Sequence, residues 1–309
     1  MNEEPAIMTE MRKEWVGFSP RRIWTIALNT LTESVRQKVY LILILFALVL
    51  IASASFFSQF GFGETGEQEA LEQLKFIKDF CLGAISVFGM LIAIVGTAQL
   101  IPNELESRTI YTILAKPVRR FEFLLGKYLG SALLVLVSLT MMSVMFGAAL
   151  KFKGDNYLRM AHESVRQAQD AGSAEDLVRQ AKRIHAAVYD ADLVKALVLA
   201  YMKLALLAAI TLLVSTFSTS MVFNVAMALM IFFAGHLVGA AKEKWAESAL
   251  ARFLLALIPD LGVFNLADDV ILGSTSVPWA YVGKVAAYGG VYLIAVLAAA
   301  HFIFAEREM

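Results

Sequence analysis

The sequence predicts an all-α, polytopic membrane protein, and three observations predict it. Of its 309 residues, 59% are hydrophobic and only 17% charged, against roughly 45–50% and about 25% in a soluble domain. The mean hydropathy is +0.66, an apolar excess too large for the core of a chain this long to hide. The apolar residues also fall in six long runs rather than in short periodic stripes, and no alternating ten-residue pattern of a β-barrel occurs.

Those runs are Val39–Phe57, Phe80–Ile101, Leu124–Leu150, Leu193–Phe217, Met221–Ala241 and Tyr281–Phe304. Each is long enough, at 1.5 Å per residue, to cross about 30 Å of hydrocarbon. Only Ser218, Thr219 and Ser220 separate the fourth from the fifth, so these two must form a tight helical hairpin. The chain divides into residues 1–38, an N-terminal segment with an amphipathic helix, and residues 39–309, the six-helix membrane domain. The first 38 residues lack the apolar core and small-residue cleavage site of a signal peptide. Ser19 is a plausible N-cap with Pro20 at the first helical position. Ile23, Ile26, Ala27, Leu31 and Val35 then share a face opposite Arg21, Arg22, Asn29 and Arg36. Such a helix either lies along the membrane surface or packs on protein.

Charge placement orients the chain. Arg21, Arg22, Arg36 and Lys38 precede the first span, and Arg108, Lys116, Arg119 and Arg120 follow the second. The positive-inside rule puts both regions, and hence both termini, in the cytoplasm. Residues 154–192 then lie outside and read as a small helical hairpin. Leu158, Ala161, Val165 and Ala168 line one arm, Gly172 breaks it, and Ser173 with Asp176 resembles a capping box. Leu177, Ala181, Ile184 and Val188 line the second arm. These thin apolar faces must pack on each other, on a second copy or on a partner. Residues 242–280 begin with the amphipathic run Trp245–Ile258, ended by Pro259, and continue as a re-entrant or surface loop.

Several patterns that suggest chemistry lack its context. The glycines of Gly61-Phe62-Gly63-Glu64-Thr65-Gly66 follow a membrane span, not the strand of a dinucleotide-binding unit. Gly126-Lys127 has no glycine five positions ahead and is followed by Tyr128, so it is no Walker lysine. His162-Glu163 has no second histidine four residues on, and no Gly-x-Ser-x-Gly elbow occurs. With one cysteine, Cys81, there is no internal disulfide and no cysteine-based metal site. The 27 basic and 27 acidic residues cancel, so no global field attracts nucleic acid. Met141, Met142 and Met145, with Met221, Met227 and Met230, read as helix-packing residues or as soft copper(I) ligands. Two intramembrane groups are candidate polar sites. Lys203 either snorkels toward the outer end of its helix or acts as a buried ionisable group. His236, inside Gly235-His236-Leu237-Val238-Gly239, either makes an interhelical hydrogen bond or has a proton or metal role.

The most informative segment joins the second and third spans. From Pro102 to Lys127 charges of both signs interleave with apolar residues, and Pro117 ends a short helix over Thr109–Leu114. A surface helix of this sort offers an apolar ridge and charged rim to a soluble partner.

This segment resembles the membrane subunits of type 2 ABC transporters. Glu104, Glu106 and Thr109 match a Glu-x-Glu-x-x-Thr run of that family. Lys116, Pro117, Arg119, Arg120, Glu122, Phe123, Leu124, Gly126 and Lys127 match its Lys-Pro-x-Arg-Arg-x-Glu-Phe-Leu-x-Gly-Lys segment. Ala27–Lys38 is similar to the family's leading helix, and Pro259–Asn265 to its Pro-x-Leu-x-x-Phe-Asn element. The branch it most resembles contains the nitrous-oxide-reductase maturation permease. The resemblance implies a dimeric permease, homo- or heteromeric, of six spans per subunit in a bacterial inner membrane. ATP and Mg would be bound by separate cytoplasmic ABC ATPase subunits and no cofactor by this chain, which would not itself be an enzyme. It places a coupling loop at 102–123, with Glu104, Glu106, Arg108, Thr109, Lys116, Pro117, Arg119, Arg120 and Glu122 as ATPase-coupling residues. The expected function is the permease of an ATP-driven exporter. The alternatives are a mechanotransmitting subunit that drives an outside partner through 154–192, and a secondary transporter, for which no internal repeat speaks. An intramembrane enzyme would need a buried catalytic set that the spans do not supply.

Overall fold

A computed structural model describes residues 18–58, 67–106, 119–167, 171–244, 253, 255–266 and 277–306. Its helices are α1 (Pro20–Val35), α2 (Lys38–Phe57), α3 (Glu67–Ala98), α4 (Leu100–Glu106), α5 (Arg120–Gln167), α6 (Ala171–Val188), α7 (Asp192–Phe217), α8 (Met221–Lys244) and α9 (Trp279–Glu306), with a 3-10 turn at Gly262–Phe264 before α9. Among the described residues there is no strand. Six helical stretches are long and apolar enough to span a membrane, at Lys38–Phe57, Ala70–Glu104, Arg120–Arg166, Glu175–Phe217, Met221–Lys244 and Trp279–Glu306. Each contains one of the six expected runs. For description, the near end of the bundle is the end that carries α1, and the far end is the opposite one.

The helix α7 is the centre of the bundle. Its apolar residues surround it on all sides, which suits a helix with neighbours all round, and α3, α5, α8 and α9 pack against it. The outer helices α2, α8 and α9 bury far less of themselves. Ile42, Leu45, Val222, Phe233 and Ile294 are each at least 60% exposed, a surface that demands an apolar surrounding. Ser218–Ser220 does form the tight turn between α7 and α8. Ser220 caps α8, its Oγ accepting the Phe223 N–H at 3.4 Å.

Two spans run well beyond their expected bounds. The second begins at Glu67 rather than Phe80. The third is a single helix of 48 residues, about 72 Å long, so the first arm of the expected 154–192 hairpin is the direct continuation of a membrane span. The second arm, α6, begins at Ala171. Gly172 and Ser173 therefore lie inside the helix, and neither the expected break nor the capping box is where the chain turns. What closes the two arms is Gly154: a Cβ there would stand 2.3 Å from Val188 Cγ2, so only a bare backbone lets α6 lie against α5. Ala70, Leu74 and Ile77 of α3 join Leu150, Ile184 and Val188 in the same core. The Gln73 side-chain oxygen accepts from Tyr157 Oη at 2.5 Å. Lys78 pairs with Asp190 at 3.1 Å, fixing the turn into α7.

The described residues 259–266 are a packed element rather than a surface loop, while 267–276 lie outside the described residues. Leu261, Phe264 and Leu266 are buried. The Leu261 N–H bonds the Gly235 carbonyl at 3.0 Å, and Phe264 packs on Gly289 of α9. Three tyrosines along α9 hold its backbone. Tyr281 donates to Val263 O and Tyr292 to Ala256 O, each at 2.9 Å, while Tyr288 Oη accepts the Asp260 N–H at 2.8 Å.

Candidate coupling site at the near end of the bundle

Residues 107–118 lie outside the described residues, and with them Arg108, Thr109, Lys116 and Pro117. Glu106 is in α4, its side chain also outside the description. What the structure shows is how both ends of this segment are fastened.

On the incoming side the helix of the second span is interrupted at Gln99, three residues before Pro102. Proline has no N–H, so the carbonyl four residues back, Ala98 O, loses its helical donor, and α3 gives way to α4 at this point. The buried Asn224 of α8 supplies the missing hydrogen bond, its Nδ2 donating to Ala98 O at 3.0 Å. The neighbouring Gln99 amide donates to Gln37 Oε1 at the start of α2. Glu104, 7% exposed, then forms an ion pair with Lys127 of α5, which is 1% exposed. Glu33 of α1 lies 3.9 Å from the same Lys127 Nζ.

On the outgoing side Arg119 is exposed. Arg120 donates to the Phe304 and Ala305 carbonyls at 3.3 and 2.5 Å, near the C-terminal end of α9, where helical carbonyls lack partners within the helix. The fully buried Glu122 accepts the Ser19 N–H at 2.8 Å and pairs with Arg22 at 3.3 Å. Ser19 thus stands at the N-cap position with no cap bond from its own hydroxyl, and Pro20 takes the first helical position as expected.

The helix α1 lies directly on α5 because small residues allow it. A Cβ on Gly126 would come within 2.7 Å of Ile26, and one on Gly130 within 2.5 Å of Thr30 Cβ and 2.8 Å of Ala27 O. The face buried in that contact is Ile23, Ala27, Thr30 and Ser34, turned from the stripe expected from sequence. Close approach selects small side chains over large ones. Trp24 and Leu28 are left exposed beside Leu31 and Val35.

Of the nine sequence-predicted coupling residues, Glu104, Arg120 and Glu122 are therefore bonded within the chain, and Arg119 is the described one that faces outward. The structure adds Lys127, Arg22, Glu33, Asn224 and Pro102 to the site. Pro102 was a visible signal, as was Gly126-x-x-x-Gly130. Asn224 gave none, since one asparagine near a helix start is commonplace.

The two intramembrane candidates lie elsewhere. Lys203 does not snorkel. It is 3% exposed in the middle of α7, and its Nζ lies 3.3 Å from Ser86 Oγ of α3, because the helices around α7 leave the side chain no route to a water interface. A lysine at mid-span costs about 2.5–3.5 kcal/mol on insertion scales. His236 bonds its own helix, Nδ1 lying 3.0 Å from Phe232 O, and its ring stands 4.4 Å from that of Phe232. Among the described residues it makes no interhelical bond, and Gly235 and Gly239 receive the 259–261 segment. Met142 is buried while Met141, Met145 and Met230 are exposed. Among the described residues no cluster of histidine, cysteine and acid side chains could hold a metal.

Residues 24–309 match the family model described as ABC-2 family transporter protein, and no curated protein matches the chain. With six helices fit to span a membrane and a match over nearly its whole length, this chain belongs to the ABC-2 family of transporter proteins.

Proposed function

We propose that this protein is the permease subunit of an ATP-driven ABC exporter, and that its ATPase contact is centred on residues 107–118 and Arg119. The observation that carries the reading is the two ion pairs, each with a buried carboxylate, flanking that segment. Glu104–Lys127 joins the end of the second span to the start of the third, and Glu122–Arg22 joins the third to α1. A push on the segment by a nucleotide-driven partner would reach α1, α4 and α5 together, with Arg120 carrying it to α9. Glu104, Arg120 and Glu122 are in this reading positioning residues, whereas Arg119 touches the partner. The near end is then cytoplasmic, in keeping with its arginines, and ATP with Mg stays on the ATPase chains of a permease dimer.

Gentle affinity purification from native membranes, with mass spectrometry and an ATP-turnover assay, tests this. Arg119→Glu should remove a stoichiometric ATPase from the eluate without lowering the yield of the permease. Equal ATPase recovery and turnover in that variant would overturn the assignment of the coupling segment.

A second reading, mechanotransmission to an outside partner, has support from α5. One unbroken helix runs from Arg120 at the near end to Gln167 in the far-end arm, so a tilt imposed at one end moves the other. In that case removing residues 154–188 would abolish the partner's function while ATP turnover persisted.

A further inference from the structure

The helix α3 carries a narrow outward stripe along the far half of its span, at Lys75, Asp79, Gly83 and Val87, one residue per turn, with Ser86 half-buried beside it. Its charged members are at the far end. A Cβ on Gly83 would meet nothing within 4 Å, so the stripe is open at that level. Behind it, from the central helix, comes the Lys203 ammonium, which reaches the Ser86 hydroxyl and has no carboxylate within salt-bridge distance among the described residues. Three of the other buried lysines pair with a carboxylate. Lys78 has Asp190, Lys127 has Glu104, and Lys195 has Asp192 together with the Val277 carbonyl. A cation placed at mid-span with a neutral partner alone is the most unfavourable of these arrangements. It becomes favourable when an anion arrives at the same place, because charge-assisted bonds are strongest away from water.

We propose that Lys203, with Ser86, is a recognition point for an anionic group, a phosphate or a carboxylate, on an amphiphilic molecule that approaches along the open stripe of α3. The apolar surroundings would take the molecule's hydrocarbon part, and the ammonium its head. This rests on the transport reading for its biological use, but the binding step does not, since the site lies within this chain and far from the coupling segment.

The full-length protein in zwitterionic-lipid nanodiscs can be titrated with dodecyl phosphate, with dodecanoate, with the zwitterion dodecylphosphocholine and with inorganic phosphate. Binding is read by native mass spectrometry and by competition with a fluorescent anionic amphiphile. Saturable binding of the two anionic amphiphiles is expected, weakened about ten-fold or more by Lys203→Met and retained by Lys203→Arg. Equivalent binding of inorganic phosphate would make a free anion the ligand and refute the amphiphile. Equal affinity for Lys203→Met and the native chain, or no preference for the anionic probes over the zwitterion, would refute the site. Thermal unfolding of each variant, measured alongside, guards against a folding defect: Lys203→Met removes a buried charge and should unfold no earlier than the native chain. A site failing this test leaves the ATPase co-purification result untouched.

Discussion

Removing one member of the Glu104–Lys127 pair should be far more damaging than removing both. Lys127 is 1% exposed and the Glu104 side chain 9%, so solvent screens neither. Lys127→Met strands a carboxylate in the interior, and losing one partner of a buried pair costs about 3–5 kcal/mol. Glu104→Leu strands the ammonium, but Glu33 remains 3.9 Å from it with a side chain 42% exposed. A pair so open to solvent returns no more than about 1 kcal/mol, which puts the single loss at about 2–4 kcal/mol. The double variant Glu104→Leu with Lys127→Met replaces the pair by apolar groups of similar volume and should lie within about 1–2 kcal/mol of the native chain. Reversible unfolding of the purified protein in mixed micelles of rising SDS content, followed by circular dichroism, gives all four corners of the cycle. A double-variant loss equal to the sum of the single losses, within about 0.5 kcal/mol, would refute the buried pair as the link between second and third spans.

The same titration tests the helix break in the second span. Asn224→Leu leaves Ala98 O without a donor and should cost about 1–3 kcal/mol, most of which Pro102→Ala recovers in the double variant by restoring the helical N–H; no recovery would mean that Asn224 acts elsewhere. At the far end, Gly235→Ala drives a Cβ to 2.8 Å from Leu261 Cγ and 3.0 Å from Pro259 O. This should cost about 1–3 kcal/mol, whereas Gly239→Ala, with its nearest contact at 3.5 Å, should cost under about 0.5 kcal/mol. Equal midpoints for these two variants in thermal unfolding would refute the packing of the 259–261 segment on α8.

The sequence by itself determined the class, the six runs long enough to span a membrane, and the serine turn between α7 and α8. These features are local: hydrocarbon thickness fixes a run length, and a three-residue linker allows one geometry. Tertiary structure alone decided which charges face out. Glu104, Glu122 and Arg120 read from the sequence as part of a charged rim, yet each is bonded to its own chain, because partners 23, 100 and about 180 residues away in sequence meet only when helices pack. The same holds for Lys203. Its position in an apolar run suggested snorkelling, and only the ring of helices around α7 showed that the side chain is confined. The far-end arms show a third case. Period and glycine placement predicted a separate hairpin, but Gly172 is tolerated inside a helix, while the glycine that matters, Gly154, acts through contact with Val188 rather than through its own backbone freedom. Local pattern fixes what each segment is. The pairing of distant segments fixes which of their polar groups are spent inside the molecule and which remain for a partner or a ligand.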